Sequence, residues 1–574
     1  MLQRLRSGGS WPVLLGYCVA AFLLFGLRLV VHSGNWYEGS GDGDPQIPIW
    51  SFAWWPHALA HGQNPFVTHV VWAPHGVDLT WVNTLPIVSV LFAPLTWLAG
   101  PVASYNVAAI LLPAVSAWTA FLLCRYVTRR SGSPRLWPSV VGGYLFGFSS
   151  YMLAHLDGQP QLTAMFLLPV VALLVLRFVD GEIGHRRFAL ELGLVLAAQL
   201  YLALEIAFTL TLALAAALLL GYGLVAERRE RIRASLRPLA AAYGLGGLLG
   251  LPVVYYALTD LRRAGFTPPD AYVADLANVV IPTHVEAVGA GWTTGISTHF
   301  AGNVTEQGVF IGPPLLVVLI WFAWAQRRSP AARFLVAFLA LAAYASLGPH
   351  LTVYGHRLFP LPTLLGHDRI SIPGHGQKTV PIFNNTLPVR LTVYTSLAAS
   401  VAIALWAAGR RAGDRLGVVL VGIGVLLLIP NPALWATRYT IPAFFTDARY
   451  RTCLRPNANV LPQPIGAGGD AMLWQVADDF RFRMAGGRLQ TSPPSAFLHP
   501  DSVAQISVGY APVPNQAKLL SQYIARFGVT DAIVDLRDTA VWAPALDRIA
   551  RRHELGGVLL YPLAGPLPRS CPAR

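Results

Sequence analysis

The 574-residue chain is short of charge. Acidic and basic residues together make up 12% of it against 54% hydrophobic residues, and its mean hydropathy is +0.49. Soluble domains carry roughly 25% charged residues, so about half of the charge that wets a globular surface is missing. That shortage excludes the soluble-enzyme, fibrous and disordered classes and leaves a polytopic membrane protein. Lysine is almost absent: Lys378 and Lys518 stand against forty arginines. The net charge of +14 falls in short groups between apolar runs, not on one clustered face, which argues against nucleic acid as a partner and for helix orientation in a bilayer. Four cysteines are too few for a disulfide scaffold. No Walker loop, G-x-S-x-G or H-E-x-x-H occurs, so nucleotide hydrolysis and the common hydrolase chemistries lack support.

What is present in quantity is long apolar runs. A crossing helix needs about 20 such residues. The first run, Trp11 to His32, follows Arg4 and Arg6 and reads as retained, because no small-x-small cleavage site follows it. Further runs lie near 84–99, 103–124, 136–153, 161–179, 188–203, 206–225, 238–257, 309–325, 331–347, 388–408 and 416–430. Arginine clusters at Arg125/Arg129/Arg130/Arg135, Arg186/Arg187, Arg228 to Arg237, Arg327/Arg328/Arg333 and Arg410/Arg411/Arg415 occupy every second loop, as cytoplasmic loops do. The alternate loops, including 258–308 and 348–387, then face outward, as do the 33–83 loop, which has no lysine or arginine, and the tail after Pro430. One conflict arises: two full crossings between 84 and 124 put the Arg125 cluster outside. Either the Pro86/Pro94 segment is re-entrant or that cluster breaks the rule, so the expectation is about ten or eleven crossings.

The chain divides at 430. Residues 1–430 form the transmembrane module, and residues 431–574 carry more charge and no crossing-length run from Leu454 on. Strand-like stretches (Asn459–Pro462, Val529–Asp535, Gly557–Pro562) alternate there with helix-like ones (Ala517–Arg526, Pro544–Arg552), which predicts a small outer α/β domain. Cys453 and Cys571 then share an oxidising compartment, and pairing and two free thiols are both open.

The first outer loop is the most informative segment. It starts Asn35-Trp-Tyr-Glu38-Gly-Ser-Gly-Asp42-Gly-Asp44-Pro45 and continues into Gln46–His61, with tryptophans 50, 54 and 55. Such a stretch reads as an amphipathic helix lying in the interface with its indoles at headgroup depth. Glycine-flanked aspartates can approach a ligand closely, because glycine adds no side chain at the turn; an isolated D-x-D is otherwise an ordinary solvated turn. Acids opening a long outer loop, a juxtamembrane helix behind them, many helices and an outer soluble domain resemble the GT-C superfamily of membrane glycosyltransferases. Gly43-Asp44-Pro45, Trp50, Trp54, Asn64-Pro65-Phe66, Pro74-His75-Gly76, Gly100-Pro101 and Tyr105-Asn106 resemble an uncharacterised bacterial branch of it.

That resemblance implies a GT-C-like, mainly α fold and transfer of a sugar from a polyprenyl-phosphate-linked donor. The acceptor is a glycan, glycolipid or protein on the outer face of a bacterial inner membrane, and membrane lipid is the third partner. A sugar hydroxyl needs a carboxylate to take its proton, a contribution of about 10²–10⁴-fold. The family's acid maps onto Asp44, with Asp42 second, and direct displacement inverts the anomeric centre. The leaving phosphate needs fixed cations. Arg390, after Pro388 at a helix mouth, is the first candidate to bind the donor phosphate, followed by Arg369 and Lys378, with Arg262 and Arg263 weaker. An interfacial anchor is the plainer reading of each. Glu205, at an outward turn between apolar runs, His155 and Glu38 are candidate substrate-binding residues; ionisable groups at such depth usually face a cavity. Trp474 with Asp478 and Asp479 reads as a domain core with an acidic edge, with sugar contact as the alternative. No cofactor is required: Mg or Mn at the D-x-D pair is compatible with the chemistry, and metal-free catalysis equally so. His57 and His61 share a helix face but lack a third zinc ligand of evident spacing. The rivals are a transporter or flippase of lipid-linked glycans, which favours internal repeats not visible here, and a non-catalytic membrane scaffold, which tolerates loss of Asp44.

Overall fold

The computed structural model describes residues 10–31, 34–39, 44–259, 269–363, 370–372, 376–378, 386–410, 414–447, 449–465, 469–489, 493–507, 509 and 513–571, with side chains undescribed at 370–372, 376–378 and 501–503. The described chain gathers into two compact units. One comprises Met1–Val31, Asn106–Val254 and Phe266–Trp435; the other comprises His32–Tyr105, Tyr255–Gly265 and Ala436–Arg574.

The first unit is built from the apolar runs. Five described helices are long and apolar enough to cross a membrane: Ser10–Val31, Pro101–Arg130, Pro160–Val179, Leu204–Leu224 and Pro388–Ala408. A sixth span results if Ala226–Leu249 and Leu251–Thr259, bent by 73°, count as one. Pro313–Ala325, Pro330–Ser346 and Arg415–Leu427 are apolar but shorter. Close helix approach depends on small residues, because lipid gives apolar side chains no extra drive to associate. At Gly147 an added Cβ would lie 2.4 Å from the Ala117 Cβ, and at Gly193 it would lie 3.0 Å from the Ala242 carbonyl oxygen.

The arginine clusters of this unit meet. Arg130 pairs with Asp180 at 3.1 Å and with Glu182 at 2.9 Å, and Arg228 pairs with the same Asp180 at 2.8 Å. Arg135 donates to the Arg410 carbonyl at 2.7 Å. Three clusters therefore lie at one end of the helices, including the Arg125–Arg135 cluster over which the sequence reading was divided. The 84–99 stretch is not one continuous helix. It forms two short helices, Pro86–Leu91 and Ala93–Ala99, that meet at Phe92 and end at Gly100 in the left-handed region (φ 86°). At about 1.5 Å per residue their combined rise falls well short of the roughly 30 Å of bilayer hydrocarbon. Leu91, Trp97 and Leu98 are exposed.

The second unit contains the tail and the first outer loop together, whereas the boundary drawn at 430 leaves that loop with the helices. Its sheet has five strands, ordered Arg483–Met484, Asn459–Gln463, Asp531–Asp535, Val558–Pro562 and His553–Leu555. The first three run parallel and the last two are antiparallel to their neighbours. The helices Ala471–Ala477, Gln516–Phe527 and Thr539–Leu546 accompany it. The strand-like stretches thus appear close to where their β-branched and apolar residues predict them. The loop extends the sheet: Met484 donates to the Val70 carbonyl and Ala73 donates to that of Met484, each at 2.8 Å. Trp36–Tyr37 pairs antiparallel with Thr437–Arg438. Cys453 and Cys571 form a disulfide across 118 residues.

Candidate functional site

A turn of extended backbone at Ala203 breaks one helix and starts the next, so Glu205 falls in the first turn of Leu204–Leu224. The chain from Leu387 enters Pro388–Leu391, a 3₁₀ turn that leads into the Thr392–Ala408 helix and carries Arg390. Ser149 caps the short Ser150–Leu156 helix, which carries His155 in its last turn. A 3₁₀ turn, Val304–Glu306, brings in Glu306.

These elements converge on Arg390. Its Nε donates to Glu306 Oε1 at 3.0 Å and its Nη2 to the same oxygen at 2.5 Å, while Nη1 bonds Glu205 Oε2. Gln159 Oε1 accepts from Nη2 at 3.3 Å. The far side of Glu306 meets His155 Nε2 at 3.2 Å, and His155 Nδ1 donates to the Tyr151 carbonyl at 2.8 Å. Burial works against an ionised Glu306, but the Arg390 guanidinium and then His155 outweigh it and hold its carboxyl down at about 2. A second glutamate of the same loop behaves in the opposite way. Glu286 accepts from the Thr283 backbone N–H at 3.0 Å and from its hydroxyl at 3.2 Å, and burial pushes its carboxyl up to about 7.

The structure thus unites three of the sequence candidates, Arg390, Glu205 and His155. Glu306 and Gln159 escaped the sequence reading. Glu306 carried a usable signal, an acid three residues ahead of the apolar run that starts at Val309.

The other candidates belong to the second unit or lie outside the described residues, apart from Lys378, whose backbone is described in the first unit. Asp44 starts the Gln46–Ala60 helix through its carbonyl, which accepts from Ile47 at 3.0 Å, and its carboxylate binds Arg488 Nη2 at 2.6 Å. Glu38 is buried, with its carbonyl accepting from the Tyr105 hydroxyl at 2.9 Å. Asp42, Arg369, Arg262 and Arg263 lie outside the described residues. Lys378 ends a short strand, Gly376–Lys378, whose side chains are not described. Among the described residues no three His, Cys, Asp or Glu side chains gather into a metal-binding group.

The Gln46–Ala60 helix calls for a correction. Its indoles do not face lipid, because Trp50, Trp54 and Trp55 are buried in protein. Trp50 Nε1 donates to Gln475 Oε1 at 2.8 Å, Gln46 donates to Asp470 at 3.0 Å, and Phe480 stands edge-on to Trp50 and Trp54. The apolar face expected to meet lipid meets the tail instead. Trp474 is core, Asp478 is buried beside it, and Asp479 is exposed and bonds His57 at 3.2 Å.

A family model described as a domain of unknown function, DUF6311, matches residues 13–368. No curated protein matches the chain in sequence. Among solved structures, the oligosaccharyltransferase AglB of Archaeoglobus fulgidus, in complex with an inhibitory peptide and a dolichol-phosphate, superposes with a TM-score of 0.52 at 10% identity, over 97% of this chain and 74% of that one. A second structure of the Archaeoglobus fulgidus enzyme, tethered to an acceptor peptide, gives 0.51 at 11%, over 98% and 74%. The arabinofuranosyltransferase AftD from mycobacteria gives 0.55 at 15%, over 96% of this chain and 41% of that one, so the chain spans less than half the length of AftD. One is described as an oligosaccharyltransferase and the other as an arabinofuranosyltransferase. At these identities the likeness is one of fold.

Proposed function

Since the chain belongs to the DUF6311 family and carries its residues on a GT-C-like fold, we propose that it is a membrane glycosyltransferase. In this reading it transfers a sugar from a polyprenyl-phosphate-linked donor to a glycan, glycolipid or protein. The observation that carries the proposal is the fold likeness to two glycosyltransferases over 96% or more of the chain. The reaction takes place on the outer face of a bacterial inner membrane. With the 84–99 helix pair dipping into the outer leaflet and not crossing, the first outer loop and the tail lie on that face and every arginine cluster lies in the cytoplasm.

Asp44 is the general base. Its carboxylate takes the acceptor hydroxyl proton as the oxygen attacks the anomeric carbon, and the lipid phosphate leaves on the opposite side, with inversion. Arg488 fixes the position of the Asp44 carboxylate through a 2.6 Å contact, and a base must be within reach of the proton it takes. Asp42 is the second acid, and if Mg or Mn takes part, these two carboxylates are the ligands. Arg390, at the mouth of the Pro388–Ala408 span, carries the phosphate-binding role, with Glu205 and His155 beside it.

Purified protein in proteoliposomes, given polyprenyl-phosphate sugars, tests the reading. Wild type should form a glycosidic bond, and Asp44→Asn should lose about a hundredfold or more of the rate. Full activity in Asp44→Asn and Asp42→Asn removes the assigned base. Lipid translocation without bond formation replaces the enzyme with a transporter.

A further inference from the structure

Arg390 has two counter-ions, and they are not equivalent. Glu306 is 2% exposed at its side chain and held on both sides, by Nε and Nη2 of Arg390 and by His155 Nε2. Glu205 is 16% exposed, meets Arg390 through Nη1 alone, and its second oxygen accepts one long bond, 3.3 Å from the Leu387 backbone N–H. An anion arriving from outside competes with Glu205 for that edge of the guanidinium. It does not compete with Glu306, which would have to leave both the Arg390 guanidinium and its His155 hydrogen bond while 2% exposed, and uncompensated buried charge is strongly destabilising.

A second feature of the same unit says what kind of anion fits. An apolar crevice of about 530 Å³ lies among the helices Pro313–Ala325, Pro330–Ser346 and Thr392–Ala408. Its lining includes Thr392, two residues after Arg390, and Val309, three after Glu306, and continues along Leu316, Ile320, Leu335 and Ala343. Only a few hydroxyls interrupt an otherwise hydrocarbon wall. A ligand served by both features has a negative head and a long apolar chain.

We propose that Glu205 is an exchangeable counter-ion. It occupies Arg390 while the site is empty and yields the Nη1 edge to the phosphate head of a lipid whose chain lies in the crevice. Glu306 and His155 keep the guanidinium in place throughout. The device makes entry of the head an exchange at one edge of the guanidinium, so Nη1 of Arg390 has an anionic partner before and after the head arrives. This inference rests on the lipid-phosphate donor named above and adds to it the group that the donor displaces.

The sign of one mutational effect tests it. The probe is a polyprenyl monophosphate titrated into the full-length protein in detergent, read by tryptophan fluorescence. Glu205→Gln removes the competing charge and should tighten binding about tenfold, the scale of an ion pair between the exposed and buried limits. Glu306→Gln should weaken it, and Ala343→Phe, which fills the crevice, should weaken it while leaving Arg390 untouched. Inorganic phosphate alone should compete poorly. Equal or weaker binding in Glu205→Gln overturns the exchange, and inorganic phosphate binding as tightly as the lipid overturns the assignment of the crevice. Binding is read without turnover, so the two proposals fail separately. Tighter binding in Glu205→Gln with no sugar transfer leaves the exchange standing and removes the enzyme, whereas transfer with unchanged binding does the reverse.

Discussion

Glu306 in the helical unit and Asp478 in the mixed unit are both buried carboxylates, and they hold their protons in opposite ways. Burial pushes Asp478 up to about 7, and the backbone N–H of Phe482, at 2.9 Å from Oδ2, does not reverse it. Glu306 feels the same burial, yet Arg390 and His155 carry it down to about 2. Burial therefore does not set the charge state; the presence of a cation within bonding distance does. The helical unit keeps Glu306 ionised by pairing it, whereas Asp478 in the mixed unit, like Glu286 in the helical one, has no such partner among the described residues and is pushed up to about 7.

The largest test of this contrast removes the cation. Arg390→Met leaves two glutamates facing each other in a nonpolar setting, and breaking a buried pair in this way costs about 3–5 kcal/mol. We expect a lower thermal midpoint in detergent, read by tryptophan fluorescence, and loss of the monodisperse peak on size exclusion. Adding Glu205→Gln and Glu306→Gln to Arg390→Met should restore most of the midpoint. If the triple variant is no better than the single one, Arg390 acts through its packing and not through charge.

A smaller effect is expected in the mixed unit, which carries a covalent tie. The Cys453–Cys571 bond closes 118 residues, and its removal by Cys453→Ser with Cys571→Ser should cost about 2–4 kcal/mol. The loss should appear as earlier proteolysis of the tail, with the helical unit's own melting unchanged. A melting shift shared equally by both units would show that they unfold together.

These two units also differ in how much of them the sequence discloses. Apolar runs report crossing helices directly, so the expected 388–408 run is the Pro388–Ala408 span and 161–179 is nearly Pro160–Val179. The strands at 459 and 531 follow from short β-rich runs between turns. What periodicity does not carry is partnership across hundreds of residues. Gln46 bonds Asp470, Trp50 bonds Gln475 and Asp44 bonds Arg488, and nothing near residue 46 announces a partner at 470. The tryptophans of Gln46–Ala60 therefore suggested a lipid interface, when an indole belt and an indole core have the same local composition. At the site, Arg390 and Glu205 stood out as lone charges at apolar run ends, but their pairing, and Glu306 between Arg390 and His155, needed the third dimension.

The finest test of the contrast is the pH dependence of the mixed unit. Asp478 titrates near 7 when folded and at an ordinary 3.8 when unfolded. Between those values the unfolded chain has released a proton that the folded chain still holds, so raising the pH favours unfolding. The stability that protonated Asp478 contributes is complete below about pH 4 and is lost as pH rises through 7. Glu306 has the reverse sign: its contribution is present above the ordinary carboxylate range and is lost as pH falls toward 2. Urea midpoints of wild type and Asp478→Asn, measured by tail proteolysis from pH 4 to 8, separate the two. Wild type should weaken across that range relative to the variant, whose amide has no proton to lose. Parallel profiles would mean that Asp478 is ionised when folded, which in turn requires a cation near it and would erase the difference between the two carboxylates.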